Sequence, residues 1–191
     1  RCSVVSGSEM CIRDRNIVNI IPTDPGEKVS AMIAGRGVTE DNYLVFVTRN
    51  GTVKRTAQSA FKNIRSNGIR ALSLDEGDEL ISVLQTTGED KILLATHDGM
   101  AICFAETDAR AMGRDAVGVR GIRLREGDYV VGAGIAAEGA AILSITENGY
   151  GKRTDVGEYS VQNRGGMGLK NYNVTDKTGP VADVVIVTGD E

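Results

Sequence analysis

A unit of about fifty residues recurs along the chain, and periods of that length belong to stacked or radial repeat folds rather than to a single irregular domain. Asn50-Gly51, Asp98-Gly99 and Asn148-Gly149 each follow an apolar run ending in Thr, at 43–48, 91–96 and 141–146. Their glycines stand 48 and 50 residues apart. Asn-Gly or Asp-Gly between apolar runs predicts a tight β-hairpin with both turn residues at positive φ. Gly68, Gly118 and Gly168, spaced by 50 and 50, open short apolar runs at 69–74, 119–124 and 169–174. Glu76-Gly77-Asp78 and Glu126-Gly127-Asp128 precede further runs at 80–84 and 130–135. The third copy is looser, with Lys177-Thr178-Gly179 ahead of 181–187.

Each unit therefore supplies four short strands, and no stretch of ten or more residues keeps a helical period. The expected fold is all-β: a propeller-like array of four-stranded blades, about three of them with partial flanking ones, in an open arc. With 24 glycines against three prolines, the composition suits many tight turns. The repeats are placed at 41–90, 91–139 and 140–191. A partial copy at 16–40 is marked by a strand at 16–21 and by Asp24-Pro25-Gly26-Glu27. Residues 1–15 share none of this pattern. They resemble translated sequencing-adapter sequence and are set aside as a scar without ordered structure, ahead of a partial domain at 16–191.

Several chemistries are excluded. His97 is the only histidine, which removes His-based metal sites and His-dependent triads. Cys103 is the only cysteine beyond the first fifteen residues. No disulfide framework can be built on it, which suits a reducing cytoplasm. The Gly-rich runs lack the Lys-Ser/Thr of a phosphate-binding P-loop, and no segment approaches the roughly 20 apolar residues of a membrane span. No catalytic centre, metal or cofactor is expected in this chain.

The formal net charge of −4 argues mildly against a polyanionic partner, but binding depends on where the charges sit. Basic residues gather in the turns and strands of each hairpin and after it: Arg49, Lys54, Arg55, Lys62, Arg65 and Arg70, then Arg110, Arg114, Arg120, Arg123 and Arg125, then Lys152, Arg153, Arg164 and Lys170. Acidic residues gather at 75–79, 89–90 and 126–128. Equivalent positions of successive blades fall on one edge, so that edge is expected to be positive. The row Arg65, Arg114 and Arg164 is singled out as a track for phosphates, which add a salt-dependent, sequence-independent increment to binding. Aromatic residues do not alternate with these cations, which disfavours base stacking. No recognition helix is present. Backbone contact with bending of duplex DNA is the expected mode. Strand Lys and Arg also protect sheet edges, so a protein-binding scaffold remains the alternative.

One stretch is more specific. Glu147-Asn148-Gly149-Tyr150-Gly151-Lys152-Arg153-Thr154, followed by Glu158-Tyr159, is similar to bacterial gyrase A C-terminal domains. The run 162–168 resembles the seven-residue gyrase A box, Gln-Arg-Arg-Gly-Gly-Arg-Gly. Gln162, Arg164, Gly165, Gly166 and Gly168 match it, whereas Asn163 and Met167 replace arginines. The resemblance implies a β-pinwheel with strands exchanged between blades and a rim that wraps double-stranded DNA in support of negative supercoiling. It implies a parent type II topoisomerase that uses ATP and Mg2+ at sites outside this chain. That parent pairs two gyrase A chains with the gyrase B protein, on the bacterial nucleoid in the cytoplasm. The breaking-and-rejoining tyrosine lies in another domain of that family, so Tyr43, Tyr129, Tyr150, Tyr159 and Tyr172 are not read as catalytic. The related A chain of topoisomerase IV is the near alternative; the box-like run favours gyrase. DNA contact is carried over to Arg164 and its equivalents, with the Gly165-Gly166 amides free to donate to phosphate.

Overall fold

The computed structural model describes residues 30–32, 42–62 and 68–189. The expected scar at 1–15, nearly all of the partial repeat at 16–40, and Arg65 lie outside the described residues.

Three hairpins repeat: β1 (Tyr43–Thr48) with β2 (Thr52–Ala57), β4 (Lys91–Thr96) with β5 (Met100–Ala105), and β8 (Ala140–Thr146) with β9 (Gly151–Asp155). Their turns differ from the two-residue type expected, because no described residue other than glycine has positive φ. In each, the glycine amide closes the turn onto the strand-ending Thr carbonyl: Gly51 to Thr48 at 3.0 Å, Gly99 to Thr96 at 3.0 Å, Gly149 to Thr146 at 2.9 Å. Only the glycine adopts the left-handed conformation, as in longer hairpin loops built on a type I turn. The recurrent Thr has a local reason. Its Oγ1 accepts the amide four residues on, from Thr52, Met100 and Tyr150, at 3.2 Å in each case.

β3 (Leu80–Thr86), β7 (Val130–Ile135) and β11 (Val181–Thr188) pair antiparallel with β1, β4 and β8. The Asp of the Glu-Gly-Asp marker ties this strand to the hairpin tip. Asp78 Oδ1 accepts the amides of Asn50 and Glu79, both at 2.9 Å. Asp128 Oδ1 accepts those of Asp98 at 3.0 Å and Tyr129 at 2.8 Å.

The fourth strand of a blade comes from the next repeat. β6 (Val119–Arg120) pairs with β2, and β10 (Leu169–Lys170) pairs with β5. The sheets therefore run β3-β1-β2-β6, β7-β4-β5-β10 and β11-β8-β9. The exchanged strands are two residues long, shorter than the six-residue runs expected. The chain leaves the ladder because its next amides turn to the hairpin glycine of the preceding blade. Gly121 and Ile122 donate to the Gly51 carbonyl at 2.8 and 3.4 Å, and Asn171 and Tyr172 to that of Gly99 at 2.8 and 3.0 Å.

The period-2 alternation of the hairpin strands buries apolar side chains on both sheet faces. Val45 and Val47 meet Ile92, Leu94 and Ile102 between the first two blades. Leu93 and Ala95 meet Ile142, Val181 and Val184 between the second and third. β3 packs against β7, and β7 against β11, so these strands are innermost and the exchanged strands outermost. A Cβ at Gly134 would lie 2.2 Å from Ile186 Cγ1, which is why a glycine serves where β11 crosses β7.

Candidate nucleic-acid interface

The outermost strands carry one row of cations in matched register. Arg120 lies opposite Thr52, and Lys170 lies opposite Met100. These are equivalent positions of β2 and β5, so the two cations project from the same face of consecutive blades. Arg70 holds the same offset one repeat earlier, fifty residues before Arg120. All three are exposed. The described ion pair, Arg55–Glu106, involves none of them. Arg110, Arg123 and Arg125 are likewise exposed in the segment that carries β6.

Lys54 and Arg55 depart from expectation: their relative exposures are 1% and 8%. The Lys54 ammonium donates to the Ala71 carbonyl at 2.7 Å and to the Arg114 carbonyl of the next repeat. Burial pulls its pKa down to about 8; Asp115 pushes it up and Arg114 adds to the fall. The Arg55 guanidinium lies 3.9 Å over the Tyr43 ring and donates to the Glu106 carbonyl at 3.2 Å. Its Nε stands 3.7 Å from Glu106 Oε2. Glu106, 1% exposed, also accepts Thr86 Oγ1 at 2.6 Å and the Gly88 and Asp90 amides at 2.8 Å. These two cations therefore clasp the exchanged segment and are withdrawn from solvent. A charged residue inside a strand flanked by buried neighbours has to find internal partners; the sequence shows the charge but not the partners. Glu106 gives no signal in the sequence for the same reason.

The box-like run is also structural in large part. Arg164 Nε donates to the Asp108 carbonyl at 2.8 Å and its Nη1 to the Arg120 carbonyl at 3.1 Å. The guanidinium thus braces β6 from the next repeat. The Gly165 amide is not free: it donates to the Gly121 carbonyl at 2.6 Å. The Gly166 carbonyl accepts the Arg123 amide and the Gln162 amide reaches the Cys103 carbonyl, both at 2.8 Å. Gly168, at φ 75°, is held where a Cβ would stand 2.3 Å from the Ala101 carbonyl oxygen. The run crosses onto the preceding blade, and its glycines allow backbone to approach backbone.

Lys152 and Arg153 hold the positions of Lys54 and Arg55 but are exposed on β9. Lys152 still reaches its own repeat's Asn171 carbonyl at 3.2 Å, and Arg153 the Gly189 carbonyl at 2.5 Å. Arg114 is half-buried and Lys62 exposed. A small cavity beside Lys152, Thr154, Tyr159, Lys170 and Asn171 also contains Glu158, so it is not purely cationic. Among the described residues no group of three or more His, Cys, Asp or Glu side chains could hold a metal ion. None of their helices is long and apolar enough to cross a membrane.

Tandem sheets, the first two completed by a strand of the next repeat and all three splayed around common inner strands, define a strand-exchanged β-propeller-like protein. The model of the DNA gyrase C-terminal domain, a beta-propeller, matches three times, at 42–87, 90–137 and 141–188. The chain belongs to this gyrase A C-terminal domain family. The DNA gyrase A protein of Staphylococcus aureus NCTC 8325 is 47% identical over 178 residues, 92% of this chain and 20% of that protein. The chain thus spans about a fifth of the curated relatives it matches. The solved C-terminal domain of DNA topoisomerase IV superposes with a TM-score of 0.83 at 29% identity, covering 91% of this chain and 55% of that one. The DNA gyrase A C-terminal domain gives 0.81 at 29%, covering 93% and 59%.

Proposed function

We propose that this chain binds duplex DNA along its outer edge without reading sequence, and that within a longer gyrase A protein it wraps DNA in support of negative supercoiling. The observation that carries the reading is the matched, exposed pair Arg120 and Lys170 on consecutive outer strands, with Arg70 exposed at the same offset one repeat earlier and none of the three in the described ion pair. A sheet edge that needs only protection does not require one cation per blade at one offset. Such a row suits a phosphate backbone that follows a curved edge, where each contact releases counterions. The parent would supply the cleavage chemistry, ATP and Mg2+, and would assemble with the gyrase B protein and a second gyrase A chain. The setting is the bacterial cytoplasm. Relatives 47% identical among gyrase A proteins favour that parent over topoisomerase IV.

The test is fluorescence anisotropy with duplexes of unrelated sequence at several salt concentrations. Arg120→Ala and Lys170→Ala should each weaken binding equally on all duplexes and lower the salt slope by about 1. Lys91→Ala removes the same charge from β4, away from the outer strands, and should leave the slope unchanged. Equal effects of all three substitutions, or a change of base preference, would end this reading.

A further inference from the structure

At the hairpin-tip end of the inner strands, side chains from two repeats stack and reach a third. The Arg49 guanidinium carbon lies 3.7 Å from the centroid of the Tyr129 ring. The His97 ring is stacked on Tyr129, with centroids 4.5 Å apart and planes 16° apart. Two groups this near one ring occupy its opposite faces, so Tyr129 is sandwiched. His97 Nδ1 is 3.0 Å from the Val181 carbonyl oxygen; a carbonyl only accepts, so Nδ1 carries the hydrogen.

The backbone beneath this stack is the joint between blades. Arg49 and His97 hold equivalent positions, immediately after β1 and β4. The Arg49 amide donates to Glu79 within its blade at 2.8 Å, and its carbonyl accepts Val130 of the next blade at 2.9 Å. His97 repeats this, with its amide on Tyr129 and its carbonyl accepting Val181, both at 2.9 Å. The apolar surfaces between blades attract without direction, so sliding and pivoting at each joint are opposed by directional contacts, among them the backbone hydrogen bonds just named. Planar groups stacked at the joint, one of them hydrogen-bonded onward, oppose both.

We infer that Arg49, Tyr129 and His97 are positioning residues that fix the angle from each blade to the next, and hence the curvature of the outer edge. The consequence for DNA rests on the function proposed above; the consequence for shape does not. None of the three belongs to the cationic row.

The test uses the full chain with Cys2→Ser and Cys11→Ser, leaving Cys103 buried and unlabelled. Nitroxide labels at Ala60→Cys and Glu158→Cys, exposed equivalents in the first and third repeats, report the span across the arc by pulsed dipolar spectroscopy. The parent and Tyr129→Phe, which keeps both stacking faces, should give the same narrow distance distribution. Tyr129→Ala should give a broadened and displaced one. The double variant Arg49→Met/His97→Leu should do the same, and it decides the matter if Tyr129→Ala does not fold. A folded variant of either kind with the parental distribution overturns the inference. In a plasmid relaxed in the presence of the chain, Tyr129→Ala should shift linking number less than the parent at unchanged DNA affinity. If the parent itself binds no DNA, the proposed function fails, while the label distances alone still decide the positioning role.

Discussion

Gly168→Ala isolates the close approach on which strand exchange depends. Gly168 has φ 75°, and an alanine there costs about 1–2 kcal/mol for the left-handed conformation. The new Cβ would stand 2.3 Å from the Ala101 oxygen and 2.8 Å from its carbonyl carbon. Both are backbone atoms of β5, with no rotamer to move them aside. β10 must therefore retreat, weakening its pairing with Ala101 and Met100 and the bonds from Arg123 to Gly166 and from Asn171 to Gly99. At a net value of about 1 kcal/mol for each hydrogen bond, the displacement adds about 2–3 kcal/mol. Gly127→Ala supplies the control: its φ is 80°, yet nothing lies within 4 Å of an added Cβ. It should lose about 1–2 kcal/mol from conformation alone. Urea unfolding should rank the parent, then Gly127→Ala, then Gly168→Ala, and amide exchange in the last should accelerate at Asn171 and Tyr172. Equal midpoints for the two variants would refute the steric argument.

Two further substitutions probe the buried clasp. Glu106→Gln should destabilise the chain by about 3 kcal/mol, because it leaves Arg55 buried without its counter-charge; a urea midpoint unchanged from the parent would show that the pair contributes nothing. Lys54→Met, which copies the apolar choice of Ile102 in the second repeat, should change the pH dependence of stability. The Lys54 pKa is about 8 in the folded chain against 10.5 for the ordinary group. Between these values the unfolded chain holds more protons, so parental stability rises with pH. The difference between parent and variant in urea midpoint should therefore grow in the parent's favour from about pH 8 to about 10.5, and a flat difference would contradict the lowered pKa.

The blades are legible in the sequence because their markers answer local needs. Thr48, Thr96 and Thr146 recur because each hydroxyl closes its hairpin, and Asp78 and Asp128 because each caps a tip. Gly118 and Gly168 recur because each passes close to a backbone carbonyl of the preceding blade. Such demands act over a few residues and leave a regular trace. The fate of a cation depends instead on which repeat lies over it. Lys54 and Lys152 occupy the same strand position and both reach a carbonyl at the end of their exchanged segment, Ala71 and Asn171. Only Lys54 is covered, by the 109–122 segment of the next repeat. Charge and phase are visible in one repeat; burial is decided by its neighbour. The expectation placed on Lys54, Arg55 and the Gly165 amide therefore fails, although the hairpins stand where the pattern puts them.

Strand exchange also changes what a repeat encodes. The cation at the outer edge of the first blade is Arg120, written in the second repeat; that of the second blade is Lys170, written in the third. The residues that receive these strands, β2 and β5, belong to the blade itself. Each repeat thus brings the inner three strands of its own blade and the charged edge of the blade before it. A substitution that loosens an exchanged segment, such as Gly168→Ala, should accordingly remove charge from the second blade's edge while leaving the third blade's hairpin intact. It also follows why a chain of net charge −4 can present a positive edge. The acidic residues of the Glu-Gly-Asp markers sit at the turns that lead into the inner strands, whereas the exchanged strands at the far side of the first two sheets carry the exposed cations.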